Sequence, residues 1–169
     1  NELLVLEPMN AEVHAQQANL YSKMNKHHRA IELLQYALTL TDDVSNIYAL
    51  IAMEYLYIED YTNAKNYFIK CLEQDPQDYT ALQQLVFCYE VLGDVQEATS
   101  FLNHYLDQNP YCEVAWYYLG RLYLAIGDYK NALRCLDFAI ISDDTFTGAY
   151  FEKARVLEMM EDYEKAIEN

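Results

Sequence analysis

Between residues 113 and 146 the apolar positions fall on a helical stripe, stop, and begin a second one. Trp116, Leu119, Gly120 and Tyr123 follow at spacings of three, one and three. At about 100° per residue that spacing puts them on one side of a helix. Gly127-Asp128 then interrupts the pattern, glycine being suited to a left-handed stop and aspartate to the next N-cap. A second helix is predicted from Tyr129 to about Ile141, with Ala132, Leu136 and Ala139 facing inward. Small alanines there let the two helices approach closely.

The same hairpin recurs along the chain at a shift of 34 residues. Tyr21, Tyr55, Tyr89 and Tyr123 form one column, and Ala30, Ala64, Ala98, Ala132 and Ala166 another. Asp60, Asp94, Asp128 and Asp162 form a third, in which Asp94 has Glu97 three residues on, the spacing of a capping box. Pro8, Pro76 and Pro110 lie on one grid with Asp42 and Asp144, proline at the repeat end stopping the second helix. Whole repeats are 11–44, 45–78, 79–112 and 113–146, with no gap between them. Residues 1–10 read as the tail of a preceding repeat and 147–169 as the first part of a later one. The expectation is a single array that is a piece of a longer protein.

Composition agrees with helix and narrows the partners. Apolar residues make up 53% of the chain, enough to bury a core, and only four Gly and three Pro interrupt it. The formal net charge of −16 repels phosphate backbones and anionic headgroups, which argues against nucleic acid and membrane surfaces as partners. Cys71, Cys88, Cys112 and Cys135 show neither a CxxC pair nor zinc spacing. They are expected as unpaired small hydrophobes, pointing to a reducing, cytoplasmic setting. No run approaches the roughly 20 apolar residues that span a bilayer.

The spacing Trp116-x2-Leu119-Gly120-x2-Tyr123…Ala132-x3-Leu136, with Pro110 closing the preceding repeat, resembles the tetratricopeptide (TPR) pattern over the whole chain. Departures are few. Only Trp116 carries the family's tryptophan, the equivalent positions being His14, Tyr48, Leu82 and Tyr150. Val86 replaces the small residue of the eighth position, and Cys71 the usual alanine of the second helix. The resemblance implies an all-α fold in which helix-turn-helix hairpins stack into a right-handed superhelical solenoid.

It also implies a protein-binding scaffold or adaptor rather than an enzyme. In the family, the second, fifth, ninth, twelfth and thirteenth positions of each first helix line a concave groove for an extended or helical peptide. Here those positions supply Asn19, Met53, Tyr57, Gln83, Phe87, Tyr117, Arg121, Phe151 and Arg155. Phe87, Tyr117, Arg121, Phe151 and Arg155 are expected to share one surface. Apolar groups that the core does not need suggest a docking patch, and paired arginines suit carboxylates, including a peptide C-terminus. The alternatives are rings packed against the next repeat and arginines paired with Glu152 or Glu158. The family's two-carboxylate clamp for chaperone C-termini is not matched. Three consecutive repeats supply Ala15, Asn19, Leu50, Thr80 and Gln84, or Ala49, Met53, Gln84, Val114 and Tyr118. A second reading of the whole is a regulatory or substrate-presenting arm of an enzyme whose catalytic domain lies elsewhere.

No constellation for catalysis, metal or cofactor is legible. His27-His28 reads as a solvated turn beside Arg29, His14 as a stand-in for a core aromatic, and His104 stands alone on a second helix. Asp42-Asp43 and Asp143-Asp144 read as turn or cap residues. Repeat 79–112 has acids but no Lys or Arg, a surface that would suit a basic partner or simply keep a solenoid soluble. Glu54 occupies a position that ordinarily packs between repeats. The two partial repeats predict weak head-to-tail self-stacking, with Leu3, Leu4 and Leu6 of one copy covering Leu157, Ala166 and Ile167 of the next.

Overall fold

A computed structural model describes residues 10–168, and these form helices with no strand among them. In chain order the helices are α1 (Ala11–Lys23), α2 (His27–Leu38), α3 (Ser45–Tyr57), α4 (Tyr61–Gln74) and α5 (Tyr79–Leu92). They continue with α6 (Val95–Gln108), α7 (Glu113–Ala125), α8 (Tyr129–Ser142) and α9 (Thr147–Glu168). The second helix of the 113–146 repeat thus ends one residue beyond the boundary read from the pattern. Two compact units are present, one up to Gly93 with α1–α5 and one from Asp94 with α6–α9. Within each unit helices pack on their neighbours in sequence, as in a stack of hairpins.

Caps and turns explain where the helices begin and end. The aspartate column supplies N-caps: Asp60, Asp94 and Asp128 accept from the N–H of Asn63, Glu97 and Asn131 respectively. Asn10 caps α1 in the same way, accepting from Glu12 and Val13. One position before Asp60, Asp94 and Asp128 the backbone turns left-handed, with φ of 59° at Glu59, 70° at Gly93 and 78° at Gly127, and Asn25, before Lys26, does the same at 61°. Glycine was expected at this stop. Glu59 holds it despite a side-chain penalty of about 1–2 kcal/mol, because α3 and α4 pack closely only if the chain reverses there.

The fifth copy of the turn does not form. Glu161-Asp162 lies inside α9, which runs unbroken to Glu168. Leu157, Ala166 and Ile167 are exposed. Leu3, Leu4, Leu6 and Pro8 lie outside the described residues.

The cores follow the columns. Ala30, Ala64, Ala98 and Ala132 are fully buried, whereas Ala166 is not. In the first unit Ala18, Ile31, Leu34, Ala37, Ile47 and Ile51 join Ala30 in one cluster. In the second, Ala132, Leu136 and Val156 form another. Each fully buried Leu or Ile contributes about 1.5–3 kcal/mol. The tyrosine column is less uniform than expected. Tyr89 is buried, but Tyr21, Tyr55 and Tyr123 are half-buried, packing their ring faces on the clusters. The Tyr123 hydroxyl accepts from Asn103 Nδ2 at 3.5 Å.

The one tryptophan of the repeat pattern and a departure from it both gain a physical account. Trp116 stacks on Phe138 at 4.7 Å, and its indole N–H donates to the Pro110 carbonyl at 2.8 Å. His14 is buried as an aromatic substitute, 5.0 Å from the Tyr36 ring, with Nδ1 bonded to the Asn10 carbonyl at 2.9 Å. All four cysteines are buried free thiols. Burial pushes the Cys71, Cys88 and Cys135 thiols up to about 11.

Candidate partner-binding faces

In the first unit, α1, α3 and α5 carry Asn19, Met53, Tyr57, Gln83 and Phe87. Met53 is half-buried and the other four are exposed. Tyr57 is 57% and Phe87 45% exposed, so neither ring is needed by the core. Phe87 meets Tyr61 edge-on at 6.0 Å, and Tyr57 lies 5.3 Å from the His27 ring.

Behind Tyr57 lies the pair that the sequence pattern left unexplained. Glu54 is only 7% exposed, and its Oε2 accepts a hydrogen bond from His27 Nδ1 at 2.7 Å. His27 is therefore not part of a solvated turn. It opens α2 and is half-buried, with its ring turned onto the next repeat. A carboxylate at a packing position is tolerated because a charge-assisted partner arrives with it. Nothing in local spacing reveals this pair, since its members stand 27 residues apart. The acid at a packing position was the available signal.

Glu54 also borders a cavity of about 340 Å³ in the first unit. Asn19 is the candidate residue that lines it. The small side chains Ala15 and Ala18 leave the space open, and Leu34 and Leu50 supply apolar wall.

In the second unit, α7 and α9 carry Tyr117, Arg121, Phe151 and Arg155. Tyr117 is half-buried, edge-on to Phe146 at 5.1 Å and close over Gly148. It packs toward the next repeat, the alternative raised for it. The Arg121 guanidinium lies 5.7 Å from the Tyr117 ring centre. Phe151 is 67% exposed. Arg155 takes the local pairing: its Nη1 donates to both carboxylate oxygens of Glu152, at 3.0 and 3.2 Å. Glu152 is 7% exposed, so Arg155 neutralises a buried charge as Glu54 is met by His27. No helix among the described residues is long and apolar enough to cross a membrane.

Comparison with known proteins bears on the same elements. Solved structures similar to the chain include YrrB, described as a TPR protein with an unusual peptide-binding site. It has 22% identity and a TM-score of 0.63, over 89% of this chain and 78% of that one. A tetratricopeptide repeat protein from Parabacteroides merdae has 18% identity and a TM-score of 0.71, over 91% and 61%. A MamA fragment from Desulfovibrio magneticus has 15% identity and a TM-score of 0.65, over 94% and 89%. At these identities the likeness is one of fold. No curated protein sequence matches the chain. Sequence profiles described as Tetratricopeptide repeat match residues 13–48, 59–112 and 115–168. With nearly all of its length matched in this way and its helical hairpins repeating every 34 residues, the chain belongs to the tetratricopeptide repeat family.

Proposed function

We propose that this scaffold binds another protein, each unit seating an extended or helical segment against the first helices of its own repeats. The observation that carries the reading is the exposure of Tyr57, Phe87 and Phe151, three large rings on first helices. Aromatic groups of this kind dominate binding energy when a partner covers them. The description of YrrB as peptide-binding supports the same use of the fold. On the second unit Arg121 supplies the cation for a partner's carboxylate, including a C-terminus. Arg155 is held by Glu152. No catalytic step is assigned to the chain.

The test is capture of a random dodecapeptide library by the full chain. Phe87→Ser with Phe151→Ser is expected to lower retention about tenfold, equivalent to 1.4 kcal/mol. Arg121→Gln should weaken acidic peptides selectively, and neither variant should change helical circular dichroism. Arg155 is left intact because removing it would strand buried Glu152. Undiminished retention by the double phenylalanine variant would refute the proposal.

A further inference from the structure

We infer that the cavity of the first unit is a specificity pocket for an arginine side chain of the partner segment. This inference rests on the peptide-binding reading and names the residue type read at one point of it.

The chemistry of the lining carries the argument. Glu12 and Glu54 bring carboxylates, Gln16 and Asn19 bring amides, and no lysine, arginine or histidine among the described residues lines the space. Glu54 is the decisive member. It is more than nine-tenths buried, and only Oε2 is occupied, by His27. Oε1 takes no hydrogen bond among the described residues, yet it is not sealed off, since no buried side-chain oxygen lacks a partner. Glu54 borders the cavity, and its second oxygen is not sealed away from a donor brought by a partner segment.

Shape points to the same occupant. About 340 Å³ is at the small end of ligand sites, suited to one long side chain rather than a cofactor. Leu34 and Leu50 offer apolar surface to an aliphatic stem, as basic side chains prefer. The lining supplies two carboxylates and two amides as acceptors. A guanidinium has five donors in a rigid fork and can serve them together, whereas an ammonium concentrates three at one point. His27 holds Oε2 and so fixes the carboxylate while leaving Oε1 free. The chain's net charge of −16 favours approach of a cation from a distance.

The experiment uses N-acetyl-arginine methylamide as probe, titrated into the full isotope-labelled chain and followed by amide chemical shifts. N-acetyl-citrulline methylamide, of nearly the same shape without the charge, is the control. Saturable shifts are expected at Ala15, Ala18, Asn19 and Leu50 with the arginine probe, and at least tenfold weaker binding with citrulline. Glu54→Gln keeps an acceptor for His27 and should weaken the arginine probe about tenfold. Glu12→Gln, at an exposed position that tolerates change, should weaken it about threefold. Equal binding of both probes, or no shift at these residues, would overturn the pocket. The two proposals fail separately. Library peptides retained through Phe87 and Phe151 without arginine enrichment would overturn the pocket alone. An arginine probe that shifts these amides while the library is not retained would leave the pocket standing and overturn the peptide-binding reading.

Discussion

Replacing Gly120 by alanine opposes two effects of known size, and the structure decides between them. Gly120 lies inside α7, where alanine is favoured over glycine by about 1 kcal/mol on helix propensity alone. A Cβ built there would lie 2.9 Å from Leu136 Cγ and 3.0 Å from Cδ2. The first of these is the branch point of the side chain, not a free end. Leu136 is completely buried in a cluster with Ala132 and Val156, so it has little room to withdraw. Overpacking of this kind costs about 1–3 kcal/mol. The net expectation is a loss of about 1 kcal/mol, read as a drop of roughly 0.5 M in the urea midpoint for a slope near 2 kcal/mol per molar. Leu136→Ala supplies the control. In that background the clash is gone, and Gly120→Ala should stabilise by about 1 kcal/mol, giving a positive coupling in the double-mutant cycle. If Gly120→Ala alone raises the midpoint, helix propensity governs and the close-approach argument is wrong.

Glu59 and Gly127 hold the same left-handed turn with different side chains, so their substitutions should have opposite signs. Glu59→Gly is expected to stabilise by about 0.5–1 kcal/mol and Gly127→Glu to destabilise by about 1 kcal/mol; thermal unfolding that moves both the same way would refute this. The raised thiol pKa values give a pH dependence. A folded pKa above the unfolded value contributes stability that is complete below about 9 and is lost as pH rises toward 11. At pH 9 the native thiolate fraction of Cys71, Cys88 and Cys135 should be about 50-fold below that of the unfolded chain. A thiolate-specific reagent should therefore label them far faster in urea, and equal rates would contradict their burial.

What the sequence by itself determined was periodic. Helix type, the 34-residue hairpin, the aspartate caps and the buried alanine column all depend on residues a few positions apart, and these forces act within one or two turns. Trp116, Leu119 and Gly120 were legible for the same reason. Tertiary structure decided whatever depended on a partner from another helix. Glu59 in a left-handed turn and Glu161 in a straight helix share a repeat position and a side chain. At the first, α3 and α4 pack on each other across the turn. Glu54 was recognisable as anomalous, yet its stability waited on His27, delivered from 27 residues earlier by the preceding hairpin. The candidate faces divided along the same line. Exposure of Tyr57, Phe87 and Phe151 follows from helical position, whereas Arg155 was diverted to Glu152 and Tyr117 toward Phe146 by neighbours whose approach only the folded chain specifies.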